Sequence, residues 1–214
     1  MPAAPGAKPE ALHDDLLSQI AARGGVHRYP ANTILIHEGD SGDSLFILLS
    51  GRVKIYSAGE SGKEVVISTH GPGEYFGEMA LDGGVRSTSV MTLEPSTCSV
   101  VSGANLREFI EAHPDFAKHL IRKLIWRVRQ ATESVKSLAL EDVYARVVRL
   151  LQEVSVEQGN ERVVRERLTQ QDIAERVGAS REMVSRILRD LTIGGYLSSS
   201  AARITIHRKP PPAW

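Results

Sequence analysis

The hydrophobic period of this chain changes once, at Pro114, and that change limits what it can fold into. Before it, between His27 and Val101, β-prone residues come in short runs at 33–37, 45–49, 52–56, 64–69 and 87–93. Between the runs stand Glu38-Gly39-Asp40, Ser50-Gly51, Ser61-Gly62 and Gly71-Pro72-Gly73, residue types that tolerate turn geometry. Strands this short and closely spaced predict a compact antiparallel β-roll or barrel, and nothing indicates a parallel α/β sheet. Residues 11–23 precede the roll with Leu12, Leu16, Leu17 and Ile20 at helical spacing, which predicts a covering helix.

After Pro114, the residues Ile121, Ile125, Val128, Thr132, Val135 and Ala139 recur at spacings of four, three, four, three and four, the pattern of a coiled-coil seam. A second stripe, Phe116, Leu120, Leu124 and Ala131, runs beside it. One face can therefore pack on a partner chain and the other on the β-roll, whereas a lone amphipathic helix in one monomer's core would need only one stripe. Thr132 is the polar member of the seam, and a hydroxyl there requires a hydrogen-bond partner. That partner is either the helix's own backbone or a polar ligand.

At 214 residues, 42% apolar and 24% charged, the chain has the composition of a globular protein, and we expect two domains joined by the long helix: residues 1–113, 114–140 and 141–214. Lysines, arginines and a glutamate interrupt the apolar stretch 116–140, so it cannot span a bilayer, and no membrane partner is expected. The first ten residues lack the apolar core of a secretory signal and read as a flexible tail, which gives a cytoplasmic expectation. Cys98 is the only cysteine, which excludes an intramolecular disulfide, a cysteine-rich zinc site and a cysteine-held iron–sulfur cluster. Its strand-like setting suggests a buried structural thiol, with a redox sensor as the alternative. The net charge of zero conceals an asymmetry of −3 over residues 1–141 and +3 over residues 142–214.

In the basic half, Asp142 can cap a helix carrying Val143, Val147, Leu150 and Leu151, which a polar segment at 157–161 then ends. Thr169 can cap a following helix in a capping-box arrangement with Asp172, and Gly178 stands where the chain must turn sharply. Ser180 can cap a second helix with Val184, Ile187, Leu188 and Leu191 inward. This spacing is that of a helix-turn-helix, and Gly195 to Leu197 followed by Arg203 to His207 suggests a two-stranded wing. The outer face of the second helix would hold Arg181, Glu182, Ser185, Arg186 and Arg189, near the N-terminus where recognition helices meet base edges. Arginine can grip guanine with two hydrogen bonds, glutamate can accept from cytosine, and serine or backbone amides can hold phosphates. The alternative, a solvated charged face on an ordinary helix pair, leaves the caps, the turn glycine and the arginine placement unrelated.

The glycine-rich connection from Gly71 to Ser87 gathers carboxylates and one arginine. Backbone amides near Gly77 and Glu78 can donate to phosphate oxygens, Arg86 can bind them in a charge-assisted fork, and Glu78 can accept ribose hydroxyls. An Arg/Glu pair of this kind serves equally as a structural salt bridge. The glycine spacing matches neither a dinucleotide-binding fingerprint nor a Walker loop, and no acid, base and metal constellation suggests an enzyme.

Three motifs, FGEMALDGGVRSTSV from Phe76, LALEDVYARV from Leu138 and LTQQDIAERVGASREMVSRIL from Leu168, resemble over nearly the full length the cyclic AMP receptor protein / fumarate and nitrate reduction regulator superfamily of bacterial transcription regulators. The resemblance implies an α+β protein with an N-terminal antiparallel β-roll of cyclic-nucleotide-binding, jelly-roll type, a long dimerisation helix and a C-terminal winged helix-turn-helix. It implies a ligand site at Gly77, Glu78, Met79, Arg86, Ser87 and Thr132: Glu78 on the ribose, Arg86 and Ser87 on the cyclic phosphate, Thr132 reaching the adenine, across the dimer if need be. It implies DNA contacts from Thr169, Gln170, Gln171, Ser180, Arg181, Glu182, Ser185 and Arg186, with Arg181, Glu182 and Arg186 reading a TGTGA-like half-site of a palindromic operator. A homodimer, RNA polymerase as partner, cyclic AMP as effector and no covalently bound cofactor complete the expectation. Two departures stand out. The connection from Glu78 to Arg86 is one or two residues shorter than in cyclic-AMP-binding members, and Ala131 replaces a second adenine-contacting threonine. Cyclic GMP, cyclic di-GMP or no ligand at all stay open beside cyclic AMP. None of the seven histidines has a spacing that argues for haem.

Overall fold

The computed structural model describes residues 14–59, 62, 64–159, 161–165, 167–200 and 203–211. The expectations for the first ten residues, for Leu12 and for Ser61 lie outside the described residues. The described residues fall into two compact units that divide within the long helix, between Ala131 and Thr132, with residues 62, 64 and 65 grouped with the second.

The first unit opens with helix α1 (Asp14–Ala21) and continues through β1 (Gly25–Tyr29), β2 (Ile34–Ile36), β3 (Leu45–Ser50), β4 (Val53–Ala58), β5 (Glu64–His70), β6 (Tyr75–Phe76), β7 (Ser89–Thr92) and β8 (Ser96–Val101). These strands make two four-stranded sheets, ordered β1-β8-β3-β6 and β2-β7-β4-β5. The pairings with registered residues are antiparallel, for example Phe46 opposite Val100 and Ile55 opposite Val90. Successive β3 residues point to opposite sides and both sides are buried. Leu45 and Ile47 pack with Ile20, Leu106, Phe109, Phe116 and Leu120, while Phe46 and Leu48 pack with Ile36, Val53, Ile55, Phe76 and Cys98. This double burial is why 45–48 reads as an unbroken apolar run. Two strands escape the sequence reading: β1 carries a mostly exposed pattern, and β6 is two residues inside a glycine-rich stretch. Cys98 is fully buried, and burial pushes its thiol up to about 11, which keeps it protonated and unreactive.

Helix α2 (Gly103–Ala112) is capped by Ser102, whose side chain accepts from the Asn105 amide. Helix α3 (Pro114–Leu140) begins at proline, which is suited to a first helical position. Its two stripes separate over the first half of the helix: Phe116 and Leu120 are buried in the roll's core with Leu124 partly buried, whereas Ile121, Ile125, Val128 and Val135 are exposed. Ala131, expected in the buried stripe, is exposed, so that stripe ends short of it. No helix of the described residues is long and apolar enough to cross a membrane.

The second unit is built around α4 (Val143–Glu153), α5 (Gln170–Val177) and α6 (Arg181–Ile193). Its core joins Tyr144, Val147 and Leu151 to Ile173, Ala174 and Val177 and to Val184, Ile187, Leu188 and Leu191. Asp142 caps α4, accepting from the Ala145 amide at 2.7 Å. Gly178 ends α5 at φ +67°, a left-handed conformation that costs an L side chain free energy. One expectation needs correction: α4 ends at Glu153, and Glu157, Gln158 and Glu161 of the polar segment are paired strand residues of a hairpin, β9 (Ser155–Gln158) with β10 (Glu161–Val164). That hairpin joins β11 (Leu197–Ser199) and β12 (Ile204–Ile206), so the expected two-stranded wing is part of a four-stranded sheet ordered β11-β12-β10-β9. Polar side chains on its exposed positions hid the strands.

Candidate effector site and DNA-reading face

The connection from β6 to β7 is shaped by Gly77. At φ +87° it takes a backbone conformation suited to glycine, and a Cβ there would lie 2.8 Å from Ser44 O and 2.9 Å from Arg86 Nη1. A 3-10 turn over Glu78–Asp82 follows. The Arg86 main chain is clamped, its amide donating to Asp40 O and its carbonyl accepting from the Gly39 amide, each at 2.8 Å. Its guanidinium is buried, and the fork expected to face an anion donates instead to Gly77 O and Ser44 O, both at 2.9 Å. No carboxylate of the described residues forms an ion pair with it. Burial holds its pKa below the usual arginine value, a pull that Asp43 and Glu78 oppose from a distance.

Glu78 is also buried. Arg127 Nη1 from α3 donates to its Oε1, and Arg127 Nη2 lies 3.2 Å from His70 Nε2 at the end of β5. Three buried polar atoms here have no hydrogen-bond partner: Glu78 Oε2, Tyr75 Oη and His70 Nδ1. Burial pushes the Tyr75 phenol up, reinforced by Glu78 and opposed by Arg127, so it stays neutral. Burial also lowers the His70 imidazole to about 4, with Glu74 opposing and Lys123 and Arg127 reinforcing. His70 Nδ1 is 3.8 Å from Glu74 Oε2, too long for a hydrogen bond and, with a neutral ring, not an ion pair. Ser87 and Met79 are exposed and touch each other, Ser87 Oγ donating to Met79 Sδ at 3.5 Å.

Five expected ligand residues, Gly77, Glu78, Met79, Arg86 and Ser87, thus share one connection. Thr132 stands exposed on α3, in the second unit. Sequence reasoning missed Arg127, His70, Tyr75 and Ser44. One signal was available for Arg127: it follows Leu124 by three residues, at the spacing of the stripe that packs on the roll, and a cation on a buried stripe needs an anion.

In the second unit, Thr169 and Asp172 form a capping box, the Asp172 amide donating to Thr169 Oγ1 at 3.1 Å and the Thr169 amide to Asp172 Oδ2 at 2.7 Å. Ser180 Oγ accepts from the Met183 amide at 3.2 Å, and Gln171 Nε2 donates to Glu175 Oε1 at 2.9 Å. Thr169, Ser180 and Gln171 are therefore engaged with their own helices. Gln170, Arg181, Glu182, Ser185, Arg186 and Arg189 line a shallow cleft of about 290 Å³. Neither Arg181 nor Arg186 pairs with a carboxylate of the described residues; Arg189 Nε lies 3.6 Å from Asp190. Where α3 meets α4, Arg146 bridges two turns, donating through Nη1 to Glu141 O at 2.7 Å and through Nε to Val177 O at 2.9 Å.

Residues 26–113 match the family model of the cyclic nucleotide-binding domain, and residues 145–210 that of the Crp-like helix-turn-helix domain. The chain is 30% identical over 189 residues to the cAMP-activated global transcriptional regulator CRP of Pasteurella multocida, covering 85% of this chain and 90% of that protein. The chain belongs to the CRP/FNR family. A second CRP/FNR relative, the CRP-like cAMP-activated global transcriptional regulator of Mycobacterium tuberculosis, is 32% identical over 183 residues, 83% of this chain and 82% of that one. Among solved structures, the c-di-GMP-responsive global regulator CLP of Xanthomonas campestris is similar with a TM-score of 0.81 and 26% identity, covering 90% of this chain and 98% of that chain. This CRP/FNR member is accordingly a transcription regulator with a cyclic nucleotide-binding domain and a helix-turn-helix DNA-binding domain.

Proposed function

We propose that the protein is a dimeric, sequence-specific DNA-binding regulator whose operator affinity is set by a cyclic nucleotide, cyclic AMP foremost, held in the β-roll. The observation that carries this reading is the pairing of two incomplete buried charges on one connection. Glu78 keeps a buried oxygen without a donor, and Arg86 is a buried cation without an ion-pair partner among the described residues. A buried carboxylate oxygen calls for a hydroxyl, and a buried guanidinium for an anion. One sugar phosphate supplies both. Gly77, Glu78, Met79, Arg86 and Ser87 form the ligand-binding cassette, with Thr132 approaching the base. The two relatives at 30% and 32% identity are named for activation by cAMP, while CLP is named for cyclic di-GMP, so the titration below includes both.

The exposed seam Ile121, Ile125, Val128 and Val135 supports dimerisation through α3. The same two-fold arrangement gives a palindromic operator, read by Arg181, Glu182, Ser185 and Arg186, with Gln170, Gln171, Thr169 and Ser180 near the phosphates. RNA polymerase is the proposed protein partner. A ligand preferring one of two dimer states would shift the hinge at 140–143 and, through Arg146, the turn before α6.

A second reading has its own support: Arg86 already donates to two carbonyls, as it would in a β-roll that serves only as a scaffold. Calorimetric titration of nucleotide-stripped protein with cyclic AMP, cyclic GMP and cyclic di-GMP decides between them. Saturable binding that Arg86→Ala abolishes is the expected result, and operator affinity should rise with the same ligand. Tight operator binding unaffected by any nucleotide would establish the scaffold.

A further inference from the structure

We infer that His70 is a positioning residue of the effector site: as a neutral imidazole accepting from Arg127, it keeps the second oxygen of Glu78 open for a ligand hydroxyl. This rests on the effector reading above. A guanidinium facing a carboxylate favours two parallel hydrogen bonds that occupy both oxygens. Arg127 makes only one to Glu78, through Nη1, because Nη2 is turned to His70 Nε2 at 3.2 Å. A guanidinium N–H can only donate, so Nε2 must be the bare nitrogen of the ring and Nδ1 must carry the hydrogen. The ring is fixed in place: His70 is 7% exposed, with the Phe76 ring 6.4 Å away. Burial keeps the imidazole neutral at physiological pH.

An apolar side chain at position 70 would leave Nη2 without its acceptor, while Nη1 still holds Oε1 of a carboxylate whose Oε2 has no donor. The fork would then close on both oxygens and compete with the ligand. His70 touches Arg127 rather than the open oxygen, so its effect on a nucleotide runs through the Arg127–Glu78 pair.

The test uses the full-length protein, with cyclic AMP and 2′-deoxy cyclic AMP titrated into wild type, His70→Leu and His70→Gln. Wild type should prefer the ribonucleotide by about tenfold or more, the scale of one hydrogen bond to a charged group. In His70→Leu the preference should collapse towards unity, through weaker binding of the ribonucleotide alone. His70→Gln, whose amide oxygen can accept from Arg127, should restore it. Equal weakening of both ligands in His70→Leu, or an unchanged preference, overturns the inference and leaves the effector reading standing. No saturable binding of either ligand, nor of cyclic GMP or cyclic di-GMP, to wild type overturns both. A ligand-free readout guards against a misfolded variant: the imidazole nitrogen-15 spectrum of the wild type at pH 7 should show a bare Nε2 and a protonated Nδ1, and the opposite tautomer or a charged ring overturns the inference.

Discussion

In the β-roll unit, Arg86, Glu78 and His70 are buried and partly compensated by groups from elsewhere in that unit, whereas Arg181, Glu182 and Arg186 of α6 stand in solvent with no ion-pair partner among the described residues. The contrast follows from where each partner binds. A small ligand must be taken out of water, so its receptors are already desolvated and must be balanced before it arrives. A DNA duplex comes to the surface, so the arginines that meet it need only a rigid helix beneath them. The buried site is therefore sensitive to the loss of any compensating group, and the exposed face only to the loss of the contact itself.

The largest expected effect tests the buried side of this comparison. Replacing Arg127 by Met strands a carboxylate whose side chain is 2% exposed, while replacing Glu78 by Gln leaves an arginine that can turn to water, since its own side chain is 26% exposed. Arg127→Met should cost about 4 kcal/mol of stability in the β-roll unit, and Glu78→Gln about 1 kcal/mol, by urea unfolding. Equal costs would mean that the carboxylate is not desolvated, and the contrast between the two regions would fail.

Next in size is a pH effect. His70 is faced by Glu74, Lys123 and Arg127, and its imidazole is held at about 4 in the folded protein against 6.5 in an unperturbed chain. Above pH 6.5 neither the folded nor the unfolded form is protonated, and His70 contributes no pH dependence. As pH falls from 6.5 towards 4, only the unfolded chain takes up the proton, so folded-state stability declines, by about 3 kcal/mol at most. The difference between wild-type and His70→Gln stability curves isolates this loss from the titration of carboxylates. A difference that stays constant across the window would show the ring to be charged or hydrated.

On the exposed side, Arg186→Ala should weaken specific operator binding about thirtyfold, near 2 kcal/mol, with no measurable change in unfolding. The salt dependence of binding separates its two possible duties. Relaxed preference at one base pair with an unchanged salt slope marks a base contact, and uniform weakening with a slope reduced by about one marks a phosphate contact.

The same contrast explains what was legible in the sequence. The helix-turn-helix is a local object: Thr169 meets Asp172 and Ser180 meets Met183 three residues away, and Gly178 acts through its own backbone. The exposed apolar face of α3 and the start of its buried stripe, Phe116 to Leu124, were equally plain, because a helix displays its faces at fixed spacing, while Ala131 at the stripe's far end is exposed. The effector cassette was legible only where it is continuous, from Gly77 to Ser87. Its compensating groups come from Ser44, His70 and Arg127, far off in the chain, and no spacing rule connects them to Glu78 or Arg86. The hairpin at 155–164 was lost for another reason, since its outward side chains are polar and only the tertiary sheet makes it a strand pair.

The smallest predicted effect concerns Ser180, where the two regions' rules meet. Its Oγ caps α6 and it stands exposed at the end of that helix nearest the proposed DNA contacts, so it could act on stability, on operator affinity or on both. Ser180→Ala should raise the exchange rates of the first α6 amides and cost about 1 kcal/mol, whereas Ser180→Asp should keep the cap and the stability. Aspartate also complements the helix dipole, so within the free protein it should do no harm. Towards DNA the order reverses, because a carboxylate at that end repels the phosphate backbone while alanine only removes a neutral contact. Stability ranking alanine below aspartate, with operator affinity ranking aspartate below alanine, would place Ser180 at the DNA surface. If operator affinity follows stability instead, Ser180 is a cap alone, and the recognition face begins at Arg181.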